Sequence, residues 1–248
     1  MIQVGNERGT IFSINVENRE YWITAKHILT GTHSPHLGSY KKQSATVNIL
    51  NPGHEEQQWI PETFDVIDPG ADIDILVLVP AKPILNKSDS LGAEDGSVGL
   101  GTECEFLGFP YGGGWKAHFD NGQTVWFPYM KRCSVSAILQ DKTTIWVLDG
   151  INNVGFSGGP VLVGTGPEQK VFAVVSGYHT EPAEVVPEAV PIPAATGTTT
   201  PKSSTAKPKG RRKEVVNVNS GFILAFSIGS AIDAIRKNQV GPLLTPAR

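Results

Sequence analysis

The chain has only two cysteines, Cys104 and Cys133, so no disulfide framework can hold it together. Both lie in apolar, strand-like runs, and the reading is two buried thiols in a reducing compartment. No apolar run approaches the roughly 18 residues that cross a bilayer. The N-terminus lacks a basic stretch followed by an apolar one, so no secretory signal is read, and the expected location is cytoplasmic. Charge of one sign is also missing. A net charge of −3 over 248 residues gives no bulk attraction for nucleic acid. His33 and His36 have no cysteine or carboxylate beside them to complete a metal set, and they are read as loop residues. No metal or organic cofactor is expected.

What is present describes an ordinary globular composition, 40% hydrophobic and 18% charged. The pattern is short β-rich runs separated by Gly and Pro turns, which indicates an all-β barrel or sandwich architecture. Gly9 to Val16 and Glu20 to Thr24 read as a hairpin around Glu17-Asn18-Arg19. Ile73 to Val79 is almost continuously apolar, as in a strand buried on both faces, with Asp74 the exception. A polar link spans Asn86 to Gly101. Near the end the period changes. Ile228, Ala231, Ile232 and Ile235 share one face of a helix over about 229–238, with Ser230 as its N-cap.

One stretch is foreign to any core. Residues 181–214 are rich in Pro, Ala, Thr and Lys and hold no aromatic residue. Six prolines argue against ladder pairing, and the segment buries too little to offset its chain entropy. It reads as a disordered insertion. The cluster Lys207-Pro208-Lys209-Gly210-Arg211-Arg212-Lys213 within it is solvated charge or a docking site for an acidic partner.

The chemistry concentrates at Gly155-Phe156-Ser157-Gly158-Gly159-Pro160. Glycines around a serine permit a tight turn, and the N–H groups of Gly155 and Ser157 can converge on a developing oxyanion. A serine nucleophile needs a histidine base and an acid that orients it. Upstream stand His27, in Thr24-Ala25-Lys26-His27, and Asp72, in Asp72-Ile73-Asp74-Ile75-Leu76. Asp68 and Asp74 compete with Asp72. Gly155-x-Ser157-x-Gly159 also fits the nucleophile elbow of α/β-hydrolases, but that fold needs a helix after the serine and its acid and histidine later in the chain.

Thr-Ala-x-His, Asp-Ile-x-x-Leu and Gly-x-Ser-Gly-Gly-Pro, in that order, resemble the trypsin-like (chymotrypsin-fold) serine peptidases. Leu148-Asp149-Gly150-Ile151-Asn152-Asn153-Val154-Gly155 looks like the bacterial branch that includes the high-temperature-requirement proteases. The resemblance implies two six-stranded antiparallel β-barrels. The first, over 1–90, carries His27 and Asp72. The second, over 91–248, carries Ser157, the insertion and a C-terminal helix packed on it. It implies His27 as base, Asp72 as its orienting acid, Ser157 as nucleophile and a protein or peptide as substrate. It places Ile151, Ser176, Gly177 and Tyr178 at the substrate pocket. Ile151 stands where an acid would select basic P1 residues, and Tyr178 and Phe222 narrow the pocket, so small or medium apolar P1 side chains are expected. Phe156 and Lys26 depart from the family pattern. They motivate the alternative of a latent or catalytically weak binding module on the same fold.

Overall fold

The computed structural model describes residues 1–32, 37–54, 56–85, 89–94, 98–184 and 215–244. His33, His36, the 207–213 cluster and most of the expected insertion lie outside them. The first half contains β1 (Ile2–Val4), β2 (Glu7–Gly9), β3 (Phe12–Val16), β4 (Arg19–Thr24), α1 (Lys26–Thr30), β5 (Ser44–Asn51), β6 (Gln58–Ile67) and β7 (Leu76–Pro80). Then come β8 (Leu91–Ala93), β9 (Glu103–Gly108), β10 (Trp115–His118), β11 (Thr124–Phe127), β12 (Tyr129–Gln140) and β13 (Thr144–Asp149). The chain finishes with β14 (Pro160–Val163), β15 (Lys170–Glu184), β16 (Val215–Ser227) and α2 (Gly229–Lys237).

The strands build two antiparallel barrels. In the second, β14, β9, β12, β13, β16 and β15 pair in that order, and β15 pairs back onto β14 to close the ring. In the first, the order is β3, β4, β7, β6, β5, β1 and β2. The β3–β4 turn is two residues long because Glu17 and Asn18 both adopt positive φ, 54° and 61°, which matches the twist of a tight hairpin. The expected polar link is not wholly a link. Within it β8 pairs in parallel with β3 and with β15, so three residues lace the two halves together. Among the described residues no helix is long and apolar enough to cross a membrane.

The core divides by strand parity. Leu78 of β7 packs with Trp22, Val47 and Phe64 inside the first barrel. Ile75, Val77 and Val79, one position out of phase, pack with Leu162, Val174 and Phe226 at the seam between barrels. A strand that serves two cores has no solvent face, hence the unbroken apolar run. The helical stripe is buried as expected, with Ile228 and Ala231 at 0% exposure and Ile235 at 1%. Its setting differs from expectation. Ala231, Ile232 and Ile235 join the seam cluster, touching both barrels rather than the second alone. The helix starts at Gly229, whose N–H donates to Ser227 Oγ, and Ser230 lies inside it.

Cys104 and Cys133 are both free and buried, with Sγ atoms 3.2 Å apart across the β9–β12 pair. The hydrogen bond to Cys104, together with burial, pushes the Cys133 thiol well above its ordinary range.

The expectation that the sheet ends before residue 181 is corrected. β15 continues to Glu184, paired with β16 from Val215, and Pro182 sits opposite Asn217. A proline is tolerated in a strand when its missing N–H falls on an unpaired edge, and among the described residues no strand pairs with that edge of β15 beyond Val175. Truncating Ile235 to alanine should cost about 2–5 kcal/mol, because the seam cannot collapse around the void. Urea unfolding of Ile235→Ala beside the parent chain measures it.

Candidate active site

β4 ends at Thr24, and the chain turns into the short helix α1, which carries His27. Gly31, in the left-handed region at φ 68°, closes α1 by donating its N–H to the His27 carbonyl at 2.7 Å. His27 is 5% exposed and Asp74 is 1% exposed. Asp74 grips the histidine twice. Oδ1 accepts the His27 backbone N–H at 2.9 Å, and Oδ2 lies 2.7 Å from Nδ1. The bond to Nδ1 places the ring proton there and leaves Nε2 as the basic nitrogen.

The expectation that Asp72 orients His27 is therefore corrected. Asp72 sits in the exposed turn before β7, and its carboxylate pairs with Lys142 at 3.1 Å. The competing Asp68 has a third role. It forms an ion pair at 2.7 Å with Lys26, which is fully buried and also donates to the Gly70 carbonyl. Lys26 thus points away from the site and ties down the loop that delivers Asp74. The sequence held a signal for Asp74. Asp74-Ile75-Leu76-Val77-Leu78 matches Asp-Ile-x-x-Leu as well as the stretch from Asp72 does, and only Asp74 opens the uninterrupted apolar run.

Ser176, expected to line the substrate pocket, has a second task. Its hydroxyl donates to Asp74 Oδ2 at 2.5 Å, while its carbonyl accepts the Ser157 hydroxyl at 3.0 Å. Ser176 thus touches Ser157 through its backbone carbonyl and Asp74 through its hydroxyl, and Asp74 in turn holds His27.

The turn around Ser157 is built to point N–H groups outward. A trans peptide directs its C=O and N–H in opposite senses. The Val154 carbonyl accepts the Tyr111 N–H at 2.7 Å, and the Phe156 carbonyl accepts the Gly159 N–H at 2.8 Å. Both bonds turn the following N–H groups, those of Gly155 and Ser157, away from the turn's interior. Neither N–H donates to an acceptor among the described residues. Gly155 has φ 104°, and a Cβ there would meet the Phe109 carbonyl oxygen at 2.2 Å. Gly158 has φ 82°, and a Cβ would meet the Thr10 carbonyl oxygen at 2.3 Å. Only glycine fits either position.

Thr10 fastens this turn to the first barrel. Its Oγ1 donates to the Gly155 carbonyl at 2.8 Å and accepts the Phe109 N–H at 3.2 Å. Its backbone N–H donates to the Ser157 carbonyl at 2.8 Å. Phe156 is fully buried and packs edge-on against Phe106, with ring centroids 5.0 Å apart. Its side chain packs in the core of the second barrel.

Of the residues expected at the substrate pocket, the Ile151 side chain is 62% exposed, and its carbonyl is held by Lys131 Nζ at 2.8 Å. Asn152 is buried. Its Nδ2 reaches the Gly177 carbonyl at 3.4 Å, and its Oδ1 has no hydrogen-bond partner among the described residues. Tyr178 is half-buried, and Phe222 is 42% exposed. An apolar cavity of about 360 Å³, between Trp22, Leu50, Phe109 and Trp126, contains none of His27, Asp74 and Ser157. Among the described residues no cluster of His, Cys, Asp and Glu is arranged to hold a metal ion.

The fold has counterparts among solved structures. The inactive form of a serine-to-alanine mutant of Rv3671c from M. tuberculosis aligns at TM-score 0.50 and 14% identity, over 95% of this chain and 83% of that one. The fold is that of the trypsin-like proteases. Inactive and active forms of the Rv3671c protease align at TM-score 0.47, with 16% and 15% identity. They cover 95% and 97% of this chain, and 86% and 76% of theirs. No family model matches the chain, and no curated protein matches it.

Thr10→Val should destabilise the chain by about 1–3 kcal/mol, because the Gly155 carbonyl and the Phe109 N–H lose their buried partner. Thr10→Ser, which keeps the hydroxyl, should restore most of the loss. Urea unfolding of the two variants compares them.

Proposed function

We propose that the chain is a serine endopeptidase. The observation that carries the reading is the buried pair of Asp74 and His27, to which the Ser176 side chain is also bonded, beside the Ser157 turn, whose Gly155 and Ser157 N–H groups have no acceptor among the described residues. His27 Nε2 takes the Ser157 hydroxyl proton as Oγ attacks the substrate carbonyl. Asp74 keeps the imidazole in the useful tautomer and stabilises its charged form. The N–H groups of Gly155 and Ser157 stabilise the oxyanion. His27 then returns the proton to the leaving amine, and water, deprotonated by the same histidine, releases the acyl group.

Ile151, Tyr178 and Phe222 favour small or medium apolar P1 residues, since no acid accompanies Ile151 to bind a lysine or arginine. The two departures that suggested a latent module are both turned inward. Phe156 fills the second barrel, and Lys26 anchors a loop.

A fluorophosphonate probe tests the reading directly. The parent chain should label within minutes, and Ser157→Ala should not label. Asp74→Asn should slow turnover of a cleaved peptide about ten-thousandfold, the loss typical of a misoriented catalytic imidazole. Asp72→Asn should change it little. No labelling of folded parent chain overturns the proposal in favour of a binding module.

A further inference from the structure

We infer that Cys104 and Cys133 form an oxidisable dithiol site, which hydrogen peroxide closes to a disulfide and which then clamps β12 beside the approach to the serine turn. The site lies apart from His27, Asp74 and Ser157 and does not depend on the peptidase reading.

Geometry prepares the bond. The two cysteines stand directly opposite one another in the β9–β12 ladder, and their Sγ atoms are 3.2 Å apart. A disulfide is about 2 Å long and spans Cα atoms about 4.4–6.8 Å apart, a range that facing residues of an antiparallel pair satisfy. Closure therefore needs about 1 Å of approach and no change of register. The pair is also reachable. Both residues are buried, yet both line a surface cavity of about 490 Å³. Glu103, Glu105 and Asp149 line the same cavity, with Arg132 as the opposing cation. Its acidic wall disfavours anionic oxidants such as glutathione disulfide. The small part of each cysteine that reaches solvent, 4% and 8%, disfavours bulky ones. Hydrogen peroxide is small and uncharged.

The two sulfurs have unequal roles. The Cys133 thiol donates to Cys104 Sγ, and that bond draws the Cys104 thiol below its ordinary range against the effect of burial. The same bond, with burial and the charges of Asp149 and Glu105, holds Cys133 well above its own. Cys104 is thus the attacking thiolate. Its sulfur takes one oxygen as the O–O bond breaks, giving a sulfenic acid and a hydroxide, which takes up the thiol proton to become water. The Cys133 sulfur then attacks the Cys104 sulfur and displaces the hydroxyl, which leaves with the Cys133 proton as a second water. Two thiols and one peroxide yield one disulfide and two waters.

The position of the bond gives it reach. Ser134, next to Cys133, pairs with Asp149 of β13. A Cβ on Gly150 would lie 3.1 Å from the Cys133 Cβ, so the chain approaching Ser157 runs against this pair. Two residues before Cys133, Lys131 Nζ donates to the Ile151 carbonyl at 2.8 Å and to Asn153 Oδ1 at 2.6 Å. Tying β12 to β9 therefore restrains residues 149–154 as well as the two strands.

Peptide mapping of the folded chain after brief treatment with hydrogen peroxide tests the chemistry. A Cys104–Cys133 linked peptide should appear, about 2 Da lighter than its two parts, and should vanish with dithiothreitol. Glutathione disulfide at the same concentration and time should leave both thiols reduced. In Cys133→Ser, where nothing resolves the sulfenic acid, dimedone should trap residue 104, while Cys104→Ser should not be labelled at Cys133. Hydrogen exchange at residues 149–154 should slow in the oxidised parent chain and recover on reduction. Thiols that stay reduced in peroxide overturn the inference, as does over-oxidation of Cys104 without a linked peptide. A linked peptide with unchanged exchange at 149–154 supports the dithiol site and overturns the clamp.

Discussion

The hydrogen bonds between Thr10 and the turn at residues 155–158 join the half of the chain that carries the histidine to the half that carries the serine. Thr10 holds the Gly155 carbonyl with its hydroxyl and the Ser157 carbonyl with its N–H. Its own carbonyl accepts the Thr24 hydroxyl at the end of β4, three residues before His27. One buried residue thus references both sides of the site to a common point. The seam cluster, in which β7, β14, β15, β16 and α2 all take part, supplies apolar burial between the two halves. Thr10 itself is 2% exposed, so its bonds meet little competition from water.

The same economy governs Asp74. A carboxylate at 1% exposure has lost its hydration and must be satisfied by protein donors. It receives the His27 N–H, the histidine ring and the Ser176 hydroxyl. Those donors come from α1 in one half and β15 in the other. Desolvation therefore forces a unique arrangement, because any slip of one barrel against the other would strand a buried charge. Lys26 and Asp68 repeat the theme one loop away, with a buried ammonium satisfied by a carboxylate and two carbonyls.

Much of this was legible in the residues. Alternation and turn chemistry marked the β architecture, and the 3.6-residue stripe marked α2. The glycines at 155, 158 and 159 marked the serine turn. Asp74 was missed because Asp72 and Asp74 share a parity and both begin the same motif, so no periodicity separates them. The continuation of β15 to Glu184 was missed because proline was taken as a bar to pairing. Its missing N–H matters only on the edge that has a partner.

By itself the sequence determined which residue types stand where a backbone or a reaction demands them. Glycine marks positive φ and close approach, Ser157 and His27 mark the positions on which the proposed proton chemistry rests, and an unbroken apolar run marks a strand between two cores. The tertiary structure alone decided which acid serves the histidine, where Phe156 and Lys26 point, and which edge of β15 has no partner strand among the described residues. Those outcomes depend on desolvation and on contacts between segments far apart in the chain, and no local pattern encodes which buried donor will meet which buried charge.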